Sequence, residues 1–150
     1  MGTEVNVQLD QRAYCEKWLS KFEMLDCVGA KTPIESGLLL CKSKDCPRDV
    51  VYQQGICGLV YLSLCTRPDT VYAMNYLSQF NDSYGKEHWH AVLRIFRYLK
   101  GTMEFGINHS KSENDVTGFC DASFANDLEG RKSVSGYVFK LSNGPISWKS

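Results

Sequence analysis

The stretch TGFCDASFANDLEGRKSVSGYVFKL, residues 117–141, holds the carboxylate best placed to do chemistry. Asp121 closes a short run of small and apolar residues ahead of a polar loop, the position of a carboxylate at a strand end. Such a group can ligate a divalent cation. Hydrolysis of a phosphodiester by two metals needs more, because several carboxylates must converge on ions about 3.5–4 Å apart. Mg²⁺ also demands near-octahedral oxygen ligation, which one aspartate cannot supply. Asp127 and Glu129 are the nearest further carboxylates, beside Arg131 and Lys132. A solvated turn with local ion pairs is the favoured reading of that loop.

Four cations, Lys86, Arg94, Arg97 and Lys100, share a segment with the single carboxylate of Glu87, and His88 and His90 lie between them. One reading is a face that contacts phosphates of a primer–template, with an affinity that falls steeply with salt. The other, which is favoured, is the solvated side of an amphipathic helix. Trp18, Trp89 and Trp148 can serve as stacking platforms for bases, but Trp18 and Trp89 fall on apolar stripes, where core packing is favoured. Seven cysteines offer no Cys-x-x-Cys pair, and the nearest two, Cys41 and Cys46, have no second pair or suitably spaced histidines to complete a zinc site. Cys120 has no histidine near it in sequence to activate a thiol nucleophile. Reduced thiols are expected.

The elements that position these residues follow from periodicity. A short extended piece, Glu4–Leu9, precedes a helix over 11–25, with Asp10 as its cap and Tyr14, Trp18, Phe22 and Leu25 as its stripe. Residues 26–49 carry glycine and proline without a period and read as a surface loop. A helix over 49–65 contains Gly55 and Gly58, which permit close packing. Thr66-Arg67-Pro68-Asp69 breaks it, with Asp69 as a cap for a helix over 69–80. After the turn at 81–85 comes the clearest helix, 86–100, whose Trp89, Val92, Leu93, Phe96 and Leu99 recur at helical spacing, with Gly101 as C-terminal cap. The period then changes to two. Residues 104–109, 116–122, 135–141 and 145–150 read as strands, with a tight turn at Ser142-Asn143-Gly144. The fold class expected is α+β, a helical segment followed by an antiparallel sheet of three to four strands.

The bulk numbers fit one ordinary domain of 150 residues, 43% hydrophobic and 23% charged. Seventeen basic residues balance seventeen acidic ones, so no global field draws the chain to nucleic acid or membrane. No apolar run approaches the ~18 residues of a membrane span. The N-terminal MGTEVNVQLDQ has no basic region and no apolar core, so no secretory signal is read there. An intracellular protein, cytoplasmic or nuclear and not secreted, is expected, with no membrane partner and no evident small-molecule substrate. The sheet stops at Ser150 with one face uncovered, which suggests a truncated fragment of poor autonomous stability.

CTRPDTVYAMNYLSQF (65–80), KEHWHAVLRIFRYLKGT (86–102) and GFCDASFANDLEGRKSVSGYVFKLSNGPISWKS (118–150) together closely resemble the Pol polyprotein of copia-type LTR retrotransposons. The matching region joins the end of reverse transcriptase to the start of ribonuclease H. MGTEV resembles the strand after the palm's catalytic strands, and AYCEKWLSKFEML the thumb-like helix that follows. The resemblance implies a thumb/connection segment over 1–103 and the first strands of a ribonuclease H-like sheet over 104–150. It implies a parent that is an RNA-directed DNA polymerase with ribonuclease H, uses Mg²⁺, and acts on a primer–template or RNA–DNA hybrid. Asp121, in Cys-Asp-Ala-Ser, matches the first carboxylate of the family's ribonuclease H. The glutamate and later acidic residues of that site, and the polymerase Tyr-x-Asp-Asp turn, have no match here. The expectation is therefore a catalytically inactive chain with an incomplete Mg²⁺ position at Asp121 and no tightly bound cofactor. The alternative is a binding module for nucleic acid or a partner that uses Lys86, Arg94, Arg97 and Lys100.

Overall fold

The computed structural model describes residues 6–44, 46–47, 50–110, 115–123 and 134–150. The elements are β1 (Asn6–Leu9), α1 (Arg12–Lys21), α2 (Val51–Cys65), a 3-10 turn (Pro68–Thr70), α3 (Val71–Ser78), α4 (Lys86–Gly101), β2 (Ile107–Ser110), β3 (Thr117–Ser123), β4 (Val134–Leu141) and β5 (Gly144–Lys149). The class is α+β, with four α-helices and two antiparallel sheets among the described residues. Two units divide the chain. One is helical, residues 11–105; the other joins the segment up to Asp10 with residues from Gly106 onward.

The core of the helical unit follows from the apolar stripes. Val92, Ile95, Phe96 and Leu99 of α4 are buried with Leu19 of α1, Leu59 and Leu62 of α2, and Leu77 of α3. Each such side chain contributes about 1.5–3 kcal/mol by leaving water. The two glycines of α2 set how closely it packs. A Cβ on Gly55 would meet Val92 and Trp89 of α4, and one on Gly58 would fall inside the Trp18 indole of α1. The helix stays helical despite two residues that each cost about 1 kcal/mol relative to alanine, because tertiary burial outweighs propensity.

Four helix ends differ from the sequence expectation. The first helix stops at Lys21 rather than Leu25. Glu23 takes a left-handed φ of 56°, and the chain closes with Glu23 N–H donating to Ser20 O at 3.1 Å and Met24 N–H to Leu19 O at 2.7 Å. That is a Schellman closure with glutamate where glycine is usual. It turns Met24 into the core and leaves Leu25 exposed. The N-cap of this helix is Gln11 rather than the expected Asp10, and the Gln11 side chain makes no capping bond but accepts the Thr66 hydroxyl at 2.8 Å. Asp69 makes no capping bond either. Gly101 is the last residue of α4, and the cap is Thr102.

In the second unit, β1 pairs with β2 in a two-stranded antiparallel sheet, Leu9 opposite Ile107. The strand expected at 104–109 to head the C-terminal sheet thus lies at 107–110 and pairs with β1. The other sheet has the order β3-β4-β5, all antiparallel. Ser142 and Asn143 take φ of 50° and 64°, the two left-handed residues of a type I′ hairpin, whose twist matches that of the strands. Gly144 lies against the His109 ring, where a Cβ would not fit. Ser110 N–H donates to Ser142 O at 3.1 Å, so β2 also meets the hairpin tip. Phe119, Tyr137, Phe139 and Ile146 are all exposed on this sheet.

Candidate nucleic-acid interface and candidate metal position

The amphipathic design of α4 places Lys86, His90, Arg94, Arg97 and Lys100 within about a third of its circumference, opposite the buried stripe. The structure does not leave them equivalent. Arg94 Nη1 donates to Glu35 Oε1 at 2.9 Å and Nη2 to Thr32 Oγ1 at 3.1 Å. Arg97 Nε donates to Val28 O at 2.9 Å, and Ala30 N–H donates to the Arg97 carbonyl at 3.1 Å. Gly29 packs on Gly101 with no room for a Cβ. Two of the four cations therefore hold segment 28–35 onto α4. Lys86 and His90 are exposed, and Lys100 is half-buried. The described residues of 26–44 form no helix or strand, as expected of a surface segment, and its docking by arginine was not legible in the helix periodicity.

A second polar constellation lies inside the helical unit. Arg67 is 1% exposed. Its Nε donates to Asp69 Oδ1 at 3.0 Å and its Nη2 to Asp69 Oδ2 at 2.7 Å. Nη1 donates to Thr102 O at 3.1 Å, and Nη2 also reaches Thr102 Oγ1 at 2.6 Å. The Tyr98 hydroxyl donates to Asp69 Oδ2 at 2.8 Å. The guanidinium lies 5.4 Å from the Tyr98 ring centre and 5.7 Å from that of Phe105. Burial pulls against the charge on Arg67, but the Asp69 carboxylate more than offsets it and holds the guanidinium protonated. Burial first, and the Asp69 carboxylate second, push the Tyr98 hydroxyl above its usual range. Thr66-Arg67-Pro68-Asp69 is thus a clamp between the α2–α3 corner and the C-terminal end of α4, in addition to a helix break. A signal was present: from Val50 to Gly85 the only charged residues are Arg67, Asp69 and Asp82, and a charge pair in so apolar a stretch is placed to be buried.

Asp121 lies in β3 opposite Gly136 of β4 and is exposed. Its Oδ1 accepts the Ala122 N–H at 2.9 Å. Strand alternation puts Phe119, Val138 and Trp148 on its face. Its cross-strand neighbour has no side chain, so that position brings no second oxygen ligand. Asp127 and Glu129 lie outside the described residues. Among the described residues, no group of three His, Cys, Asp or Glu side chains is arranged to hold a metal ion. The described donor set does not fit a two-metal clamp. Trp18 and Trp89 are partly buried against the helical core, linked through Phe22 at 5.7 and 5.4 Å between ring centres. None of the seven cysteines is in a disulfide. Among the described residues, no helix is long and apolar enough to cross a membrane.

No protein-family model matches the chain, and no solved structure matches it. Curated proteins do. The chain is 38% identical over 157 aligned residues to the retrovirus-related Pol polyprotein from transposon TNT 1-94 of Nicotiana tabacum, an alignment that covers 99% of this chain and 12% of that protein. It is 35% identical to the corresponding polyprotein from transposon RE2 of Arabidopsis thaliana, over 96% of this chain and 10% of that one. It is also 38% identical to the secreted RxLR effector protein 161 of Plasmopara viticola, over 69% of this chain and 73% of that protein. The chain spans about a tenth of the length of the transposon polyproteins it matches. By these relationships the chain belongs to the family of retrovirus-related Pol polyproteins of copia-type transposons.

Proposed function

We propose that the chain is the connecting segment of a retrotransposon Pol, running from the reverse transcriptase thumb/connection into the first strands of the ribonuclease H-like domain, and that it has no polymerase or nuclease activity of its own. The observation that carries this reading is the alignment of 99% of the chain with a transposon Pol polyprotein. The geometry supports it. The polar network of Arg67 with Asp69, Tyr98 and Thr102 is turned inward to hold helices together. The carboxylate matching the family's nuclease, Asp121, stands on an exposed strand without a described partner carboxylate. In this reading Mg²⁺ and an RNA–DNA hybrid belong to the parent polyprotein, and the chain works inside the cell, in the cytoplasm or nucleus. Primer extension and hybrid cleavage in Mg²⁺ test it: the purified chain should leave both substrates unchanged, and extension or cleavage above the buffer rate would overturn it.

A second reading has a specific observation in its favour. Lys86 and His90 remain exposed on the same side of α4 as Arg94, Arg97 and Lys100, a basic strip suited to a phosphate backbone. Titration of a labelled hybrid at low and moderate salt separates the two. A binding module loses affinity steeply as salt rises; a purely structural segment shows no saturable binding at either.

A further inference from the structure

His88 lies at the third position of α4 and is fully buried. Its Nδ1 accepts the Gly85 N–H at 3.0 Å, so this nitrogen carries no proton. The bond satisfies the N-cap amide, as a glutamate or glutamine at this position does in a capping box. The ring packs 4.5 Å from that of Phe80, and Nε2 is buried without a well-formed hydrogen bond. Gly85 in turn seats the chain around it. Its Cβ position is taken up by Ser43, and Ser43 N–H donates to Ser83 O at 2.8 Å. Trp89 N–H donates to Gly85 O at 3.1 Å to begin the helical ladder.

We propose that His88 is an acid-sensitive latch: its neutral imidazole holds the first turn of α4, and through the 81–85 turn the segment carrying Ser43, and protonation releases both. A proton on Nδ1 would set two donors, Nδ1–H and Gly85 N–H, against each other, and would leave a cation among apolar side chains. The groups facing the ring do little to stabilise that cation. From α4, the Glu87 carboxylate is 3.8 Å from Nδ1 but 65% exposed, so water screens it. From the surface segment comes the Cys41 carbonyl, a weak stabiliser, while Lys42 and Lys44 are exposed. Tyr84 of the turn and Tyr52 of α2 are engaged with each other, stacked at 4.4 Å, and the Tyr52 hydroxyl donates to Leu77 O. Burial, outweighing Glu87, holds the imidazole below its ordinary range.

The direction with pH follows. Above about 6.5 the ring is neutral in folded and unfolded chains alike, and the latch is intact. As pH falls, the unfolded or opened ring takes up a proton before the folded one does, so the latch weakens until pH reaches the folded value. Hydrogen exchange at the Gly85 and Ser43 amides reads this directly. In the wild-type chain their opening equilibrium should rise by up to about tenfold per pH unit below about 6.5, after correction for intrinsic exchange. His88→Gln keeps an acceptor within reach of the Gly85 N–H and removes the titration, so its opening should be flat over the same range. A flat wild-type profile, or the same slope in both proteins, overturns the proposal. Should the variant not fold, the ring resonances of wild-type His88 decide. Protonation only below the ordinary imidazole value of about 6.5, with loss of the Gly85 hydrogen bond, supports the latch. Protonation at about 6.5 with Gly85 unchanged overturns it.

Discussion

Asp69 shares one carboxylate between Arg67, whose Nη2 lies 2.7 Å away, and Tyr98, whose hydroxyl lies 2.8 Å away. The two partners differ in exposure, with 2% of the Arg67 side chain accessible against 32% of that of Asp69. That asymmetry sets the first prediction. Asp69→Asn leaves a guanidinium buried without its counter-charge and should cost about 3–5 kcal/mol of unfolding free energy. Arg67→Met leaves a carboxylate that can still reach water and should cost less. Arg67→Lys should not restore the wild type, because an ammonium cannot span Asp69 and Thr102 as the planar fork does. Urea unfolding of the three variants checks the order, and equal losses for Asp69→Asn and Arg67→Met would contradict it.

The two glycines of α2 should separate under one substitution. Gly58→Ala drives a methyl into the Trp18 indole, a rigid ring, and should destabilise by about 1–3 kcal/mol. Gly55→Ala places its methyl 3.2 Å from Val92 Cγ1, a milder crowding. The gain in helix propensity of about 1 kcal/mol should roughly offset it. Thermal melts of both variants test the contrast.

Arg94 and Arg97 should behave as tethers of the surface segment. Arg94→Gln removes an exposed pair worth about 0.2–1 kcal/mol, so global stability should move little. Local opening should move more. Protease cleavage between residues 28 and 35 should quicken in Arg94→Gln and in Arg97→Gln, and should not quicken in Lys86→Gln. Unchanged cleavage in both arginine variants would show that the segment is held by other contacts.

The β3–β4–β5 sheet should open more readily than the helices. Phe119 is 61% exposed, Ile146 48% and Phe139 44%, so apolar burial there is small, and low burial marks the low-stability end of a structure. Amides of β3 and β5 should lose protection at lower urea than those of Ile95 and Phe96 in α4. Coincident loss in sheet and helices would contradict this and show one cooperative unit.

The sequence showed most clearly what repeats. The α4 stripe was legible because Val92, Phe96 and Leu99 recur at helical spacing and all three are buried. The β4–β5 hairpin was legible because Asn143-Gly144 is a strong turn signal, although the two loop residues prove to be Ser142 and Asn143. What failed was local polarity. Asp69 looks like a cap, but whether a carboxylate caps a helix or pairs with an arginine depends on what tertiary contact offers. For Asp69 that was a buried guanidinium and the Tyr98 hydroxyl, both set by residues remote from any capping pattern. The end of α1 was missed because Glu23 takes a backbone conformation that glycine usually signals. Helical spacing put Arg94 and Arg97 on one face with Lys86 and Lys100, but not the 28–35 segment over them, since that segment has no period to read. Asp121 was legible as a carboxylate at a strand end, and family resemblance gave it a role; its exposure and its pairing with Gly136 came only from the structure.

The most direct test is cleavage of a labelled RNA–DNA hybrid in Mg²⁺ by the purified 150-residue chain, run beside Asp121→Asn and an EDTA control. The expected result is no cleavage above the buffer rate in any of the three. Mg²⁺-dependent cleavage by the wild-type chain that disappears in Asp121→Asn would contradict the assignment of a catalytically silent Pol segment.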